Sequence, residues 1–348
     1  MRKLLRSVTL FFLFLCVLPA GALAQSAVKG EDLLAYQGPD RQQRLVERAK
    51  QEGALTLYTS LAPTESQPLT QAFEKKYGIK VELWRALSER VVQRVVNEAK
   101  AKRHAADVVE TNGPEMENLA REKMFVPVHT PYLADLPPAS VPSHRLWLPD
   151  RMNFFVVAWN TAKVRKEELP STYLGFTDAK WKGRIGVEAT DSEWMATIVK
   201  KLGQEPGMAY FRKLAEQNPE VRKGHVLLAQ LVAAGDVQVG LTIYSGNAES
   251  LKRKGAPIDW APIQPVAARA QGIAVARNAP HPASALLFLD FVLSPEGQKL
   301  YESLGRAPVS TKVKSHLNDF DYVVMDPAVV LDESEKWEKI WNELFLRK

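Results

Sequence analysis

The sequence predicts an α/β protein of two lobes, with mixed sheets flanked by helices and a cleft between the lobes. Two observations carry this. From Asp40 onward the apolar spacing alternates between the periods of helix and strand, which is the pattern of a sheet covered by helices on both faces. The roughly 320 residues after the N-terminal segment also exceed what one hydrophobic core ordinarily supports.

The elements follow in order. Leu45, Val46 and Ala49 share one face of a helix that Gly53 stops, and residues 54–58 read as a short buried strand. Leu69, Ala72 and Phe73 mark a second helix, closed by Gly78 before a strand over 79–84, and Val91, Val92, Val95, Val96 and Ala99 mark a third before a strand over 107–109. In such sheets ligands sit beyond the carboxyl ends of the strands. The loops 59–64 and 110–113 are therefore candidate ligand contacts, although their Ser, Thr, Asn and Gly residues also serve ordinary turns and caps. The segment 132–149, with Pro137, Pro138, Pro142 and Pro149, cannot be a regular helix and reads as a surface excursion near a lobe boundary. An apolar strand over 153–160 follows. A second alternation then runs through a strand at 184–187, helices at 194–202, 207–217 and 226–234, and a strand at 237–244. The chain returns through 271–276 to two apolar helices, 282–293 and 295–304.

The chain opens with Arg2, Lys3 and Arg6, an apolar run over 10–18, and Ala22-Leu23-Ala24. These are the parts of a cleavable export signal, with cleavage expected after Ala24. The run is shorter than the roughly 20 residues of a membrane span and contains Pro19 and Gly21, and no later stretch is long and apolar enough to cross a bilayer. The sole cysteine, Cys16, lies inside this signal, so no disulfide is expected. Leu15 before it argues against a lipid anchor. Loss of Arg2, Lys3 and Arg6 with no acid lowers the formal charge from +6 to +3. Basic residues are interleaved with acids, as over 41–52 and 98–103, which is a solvated helix face rather than a nucleic-acid stripe.

Catalysis needs convergent acid, base or nucleophile groups, and no linear motif for them is present. The chain has no nucleophile elbow, phosphate loop or dinucleotide fingerprint. His104, His129, His144, His225, His281 and His316 are dispersed, with none at the i,i+4 spacing of a helical zinc pair. These absences weaken an enzymatic reading, although an active site assembled from distant segments leaves no linear trace.

Several segments carry a resemblance. They are Arg277-Asn278-Ala279-Pro280-His281-Pro282, Phe288-Leu289-Asp290-Phe291 and Leu293-Ser294-Pro295-Glu296-Gly297-Gln298, joined by Trp159-Asn160-Thr161, residues 181–187 and residues 234–241. Together they resemble the periplasmic solute-binding proteins of ABC importers with type II topology, the ferric-iron, polyamine and phosphonate-like group. The resemblance implies two α/β lobes closing over a solute, each discontinuous in sequence. Lobe one would be 25–126 with 153–160 and 272–309, lobe two 161–269, and 310–348 a C-terminal helical segment. It further implies a periplasmic monomer whose partners are a small-molecule solute and ABC permease subunits, with no nucleic acid.

Ferric-binding members of the group hold iron with adjacent tyrosines after the strand that matches 237–243, helped by a first-loop histidine and a glutamate after the third strand. Here the tyrosine region is Ile243-Tyr244-Ser245, with one tyrosine. The first loop offers Ser60, Leu61 and Thr64 and no histidine, and the third-strand loop offers Thr111 and Asn112 beside Glu110. A shell of one phenol, hydroxyls and amides suits an anionic or polar organic solute better than a ferric ion, which prefers hard oxygen anions. Thr190, Asp191, Ser192 and Trp194 resemble the loop that meets the ligand at a helix start, with Trp194 expected to shield it. The reading is a solute-binding protein without a cofactor. Kept beside it are a ferric-ion carrier using Tyr244 with Glu110 or Glu193 and a bound anion, and, from another class, a periplasmic enzyme or a sensor subunit that docks a receptor.

Overall fold

The structure, a computed structural model, describes residues 33–346. The export signal at 1–24, with Cys16, lies outside the described residues.

Strand and helix alternate at the start as the apolar spacing predicts: α1 (Arg41–Glu52), β1 (Ala54–Thr59), α2 (Pro63–Tyr77), β2 (Lys80–Arg85), α3 (Ser88–Lys100) and β3 (Val108–Asn112). Gly53 and Gly78 end α1 and α2 with φ of 74° and 71°. Only glycine takes this left-handed turn without Cβ strain, and their N–H groups donate to the carbonyls of Ala49 and Glu74. β1 pairs parallel with β2 and β3. The third strand runs further than the sequence suggests, so 110–112 is strand rather than loop, and Gly113 opens a helix, α4 (Gly113–Arg121). Gly-Pro reads as a turn, yet proline in the first turn of a helix loses no hydrogen bond.

The chain then enters β4 (Leu148–Asn160), whose 13 residues are all buried. The second alternation is β5 (Ile185–Glu188), α5 (Ser192–Leu202), α6 (Gln204–Glu216), β6 (Glu220–Arg222), α7 (His225–Ala234), β7 (Val239–Tyr244), α8 (Ser245–Arg253) and β8 (Ile258–Ala261). It returns through β9 (Ala267–Val275) to α9 (Pro282–Leu293) and α10 (Pro295–Ser303). The main strand order is β2-β1-β3-β9-β4-β7-β5-β6. β4 is the link between the two halves, for its first part pairs antiparallel with β9 and its second with β7 and β8.

Alternation along β4 divides its side chains between cores. Phe154 and Val156 belong to a first core with Leu55, Val108, Phe73 and the buried helix α9. Phe155, Val157 and Trp159 belong to a second, with Val187, Trp194, Phe211 and Trp341. Ala158 joins a smaller cluster with Leu228, Val232 and Ile243 on the opposite face.

The expectation of helix throughout 310–348 is corrected. Residues 310–326 contain no helix, and two short strands, β10 (Ala307–Pro308) and β11 (Val323–Val324), flank this stretch or lie in it. The cause is packing. Phe320 and Tyr322 each meet the ring of Phe154 at 5.0 Å, and the Val323 and Met325 N–H groups donate to the Val266 and Ala268 carbonyls at 2.8 Å. Helix begins only at α11 (Pro327–Asp332), capped by the Asp326 carboxylate, and continues as α12 (Ser334–Trp341) and a π turn over Asn342–Leu346. α11 is tied to α4 by the Arg121–Asp332 ion pair. α12 instead beds Trp337 and Trp341 in the second core, where Trp341 Nε1 donates to the Ala189 carbonyl at 2.8 Å. Among the described residues no helix is long and apolar enough to cross a membrane.

Candidate functional site

A cleft of about 1010 Å³ lies where the carboxyl ends of the strands of both cores face each other. Four helices begin at it: α3 with Ser88, Glu89 and Arg90, α4 with Pro114 and Glu115, α5 with Ser192 and Glu193, and α7 with His225. None of the four has a side-chain cap hydrogen bond on its first turn. The positive ends of four helix dipoles thus meet at one space, an arrangement that favours negative charge.

Arg269 on β9 forms the floor of the cleft. It is ion-paired with Glu193, and its guanidinium lies over the Tyr244 ring at 5.1 Å. Beside it, His225 stacks on Tyr244 with ring centres 3.6 Å apart. The imidazole Nδ1 lies 3.0 Å from the Thr242 carbonyl and Nε2 lies 3.3 Å from Asp191. Burial opposes its charge, but Asp191 and Glu188 outweigh that cost and hold the His225 pKa above its ordinary value. Burial also raises Asp191 and Glu193, so the Asp191–His225 pair holds its proton firmly.

Glu188, Asp191 and His225 bring possible metal donors within 4.8 Å of one another. Their chemistry does not suit an ion. Glu188 already accepts from the Gly224 N–H at 2.7 Å, the Thr190 N–H at 2.5 Å and the Thr190 hydroxyl at 2.7 Å, while His225 is disposed to keep its protons.

The structure brings some of the sequence-predicted residues to this cleft and leaves others away. Asn112, Thr190, Ser192 and Glu193 line it. Asn112 is oriented by donating to Ser88 Oγ and accepting from Gln271 Nε2, both at 2.9 Å. Asp191 stands behind His225, and Tyr244 behind both His225 and Arg269, 7 % exposed with its hydroxyl unpartnered. Ser60, Leu61, Thr64 and Thr111 do not reach the cleft. Ser60 accepts from the Thr111 hydroxyl at 3.1 Å, Leu61 is buried, and Thr64 is exposed on α2.

Trp194 is corrected from a shield over solute to a core residue. It is fully buried against Tyr173, Phe211 and Trp341. Glu110, offered as an iron ligand, is likewise sealed away. It accepts from the Thr59 hydroxyl and lies with Asp150, Arg151, Glu65 and Arg306 in a buried ionic network. Burial, with Asp150 adding to it, pushes Glu110 up to about 8.

Sequence reasoning missed Arg269, His225, Glu115 and the wall formed by Leu331, Ser334 and Trp337 of the C-terminal helices. His225 carried a usable signal, for Gly224-His225 opens an apolar helix after a short strand. Arg269 carried none, since its place depends on β9 crossing between cores.

Comparison with known proteins agrees with this architecture. The profile of a family described as bacterial extracellular solute-binding protein matches residues 69–329. The Fe(3+)-binding periplasmic protein of Serratia marcescens is 26% identical over 197 residues, covering 56% of this chain and 57% of that protein. Iron uptake protein A1 of Synechocystis is 24% identical over 317 residues, covering 84% and 87%. The structure of the periplasmic binding protein AfuA from Actinobacillus pleuropneumoniae, with exogenous fructose-6-phosphate bound, superposes with a TM-score of 0.72 at 21% identity, covering 85% of this chain and 99% of that one.

Proposed function

Because the chain belongs to the family of bacterial extracellular solute-binding proteins, we propose that it is the extracytoplasmic solute-binding component of an ABC-type importer, capturing a small anionic or polar organic solute between its two cores. The observation that carries this is the convergence of four uncapped helix starts on the cleft around Arg269 and His225. Such a site gives an anion backbone N–H donors and charge-assisted bonds in a space partly cleared of water. Asn112, Thr190 and Ser192 supply the polar contacts that fix orientation, and Tyr244 and Asp191 hold Arg269 and His225 in place. The cleft is at the upper end of small-molecule sites, which run to about 1,000 Å³. Export by a leader cleaved after Ala24, two lobes between which β4 crosses, so that 155–160 belong with the second lobe rather than the first, and delivery to a membrane permease as a monomer complete the reading.

A panel of probes tests it by thermal unfolding and isothermal titration: inorganic phosphate, citrate, fructose 6-phosphate, putrescine and ferric ion. A solute present at 100 times its Kd stabilises the fold by about 2.7 kcal/mol. Stabilisation by organic anions is expected. Tight ferric binding that is lost in Tyr244→Phe, with no response to any organic anion, would sink the proposal.

The relatives named for iron, together with the buried and unpartnered Tyr244 hydroxyl, favour ferric ion as the second reading. It requires Tyr244 to leave its stack with His225 and join Glu193 and a bound anion. A visible phenolate-to-iron absorption band after iron loading is its signature. Recovery of the native solute chemically unchanged separates binding from turnover.

A further inference from the structure

The acids that face the cleft are not equivalent. Glu193 is ion-paired with Arg269, and Glu188 is spent on three donors. Glu89 on α3 and Glu338 on α12 are exposed at the mouth, where water solvates them. Glu115 differs from all of these. It lines the cleft half-buried in the first turn of α4. Among the described residues it has no ion pair, and its one side-chain donor is Asn112 Nδ2 at 3.4 Å.

A desolvated carboxyl without a close counter-ion is a cost to the folded protein. Burial pushes Glu115 up to about 7, although Arg269 pulls it the other way. The positive end of α4 meets part of the cost. What is missing is an ion-paired cation. The cleft's cations are paired elsewhere or unpaired with it: Arg269 serves Glu193, His225 serves Asp191, and Arg90 on α3 and Lys223 ahead of α7 are exposed and, among the described residues, form no ion pair with Glu115. The same cleft is lined by the features that suit an anion, namely Arg269, His225 and the first turns of α5 and α7.

We propose that Glu115 is the counter-ion for a protonated amine on the solute, so that this cleft takes a zwitterion: an anionic group at Arg269 and His225 and an ammonium at α4. This deepens the anionic-solute reading and rests on it. A metal cation is a poorer match for the position, because Glu115 offers one carboxylate with amide neighbours and the cleft's other donors are already used.

Titration calorimetry with two matched pairs separates the claims: O-phosphoethanolamine against ethyl phosphate, and aspartate against succinate. Each pair is titrated into wild type and Glu115→Gln. The aminated member is expected to bind about tenfold tighter or more in wild type, the scale of a charge-assisted hydrogen bond, and the gap to collapse in Glu115→Gln. Repeating the wild-type titration near neutral pH in buffers of different ionisation enthalpy is expected to show proton release, because an arriving ammonium favours the ionised carboxyl. That readout does not depend on the variant folding. Equal affinities within both pairs, or proton release that persists in Glu115→Gln, overturn the zwitterion and leave the anionic reading standing. Failure of all four compounds and of the anions in the wider panel overturns both.

Discussion

Two sites at the junction of the cores use the same residue types to opposite ends. In the sealed network, Glu65 lies between Arg151 at 3.3 Å and Arg306 at 2.5 Å, and Arg306 also donates to Asn247 on α8 at 2.9 Å. Asp150 beneath accepts from the Tyr301 hydroxyl at 2.8 Å. In the cleft, Arg269 meets Glu193 beside an open volume, and the helix starts around it lack side-chain caps. Arginine and carboxylate alone therefore do not mark a binding site. What separates the two is whether charge is matched from within the protein or left facing a space that a solute can enter.

The comparison can be broken most forcefully at Glu65. Removing it in Glu65→Ala takes the shared carboxylate from two buried guanidinium groups, leaving Arg306 with Asn247 and Arg151 with Asn153, and a loss of about 3–5 kcal/mol is expected, read from urea unfolding. A loss below about 1 kcal/mol would mean the network is wetter than its burial suggests.

In the cleft the leading effect falls on affinity instead. Arg269→Gln removes a charged donor, and the anionic probes should weaken about ten- to a hundredfold, measured by titration calorimetry. Unchanged affinity would place the anion elsewhere.

A smaller effect sharpens the contrast through pH. Glu110 has a folded pKa of about 8 against an ordinary 4.5, so the folded state holds this proton more tightly than the unfolded chain does. Its contribution is full below about pH 4.5 and is lost as pH rises through 8. His225 has the same sign, with its contribution full below its ordinary value of 6.5 and lost as pH passes its raised one. Unfolding midpoints taken at intervals from pH 5 to 8 should fall more gently in Glu110→Gln than in wild type, and an identical slope would contradict the assignment.

The smallest change is expected at Arg121→Ala. Its guanidinium stays partly exposed in both of its pairs, with Asp332 and with Glu117, and Glu117 keeps His144 as a partner, so the pairs fall in the range of about 0–1 kcal/mol each for exposed ion pairs. A thermal unfolding midpoint lowered as much as in Glu65→Ala would erase the distinction between sealed and open charge.

Much of the fold was legible because its signals are local. The 3.6-residue spacing of Val91, Val95 and their neighbours, the glycines at 53 and 78, and the proline-started helices at 282 and 295 each act within a few residues. α4 and α8 were missed because Asn112-Gly113-Pro114 and Ser245-Gly246-Asn247 carry turn chemistry, while tertiary packing makes them helix starts. The site divides in the same way. Thr190, Ser192 and Asn112 follow from the rule that ligands meet strand ends. Arg269, Glu115 and Trp337 do not, because they meet only after β4 and β9 have crossed and the C-terminal helices have folded back. Trp194 misled for a related reason: position beside a ligand-type loop does not reveal which face of α5 turns inward.

The helices α11 and α12 add a second tie between the halves, on the side of the mouth rather than on the side of the crossing strands. Arg121 fastens one helix to α4, Trp341 fastens the other beneath Ala189, and Glu333 alone joins them. A pair of crossing strands by itself acts as a hinge with one axis. With a jointed strut across the opening, any parting of the two halves there must be taken up at Glu333 or at one of the two anchors.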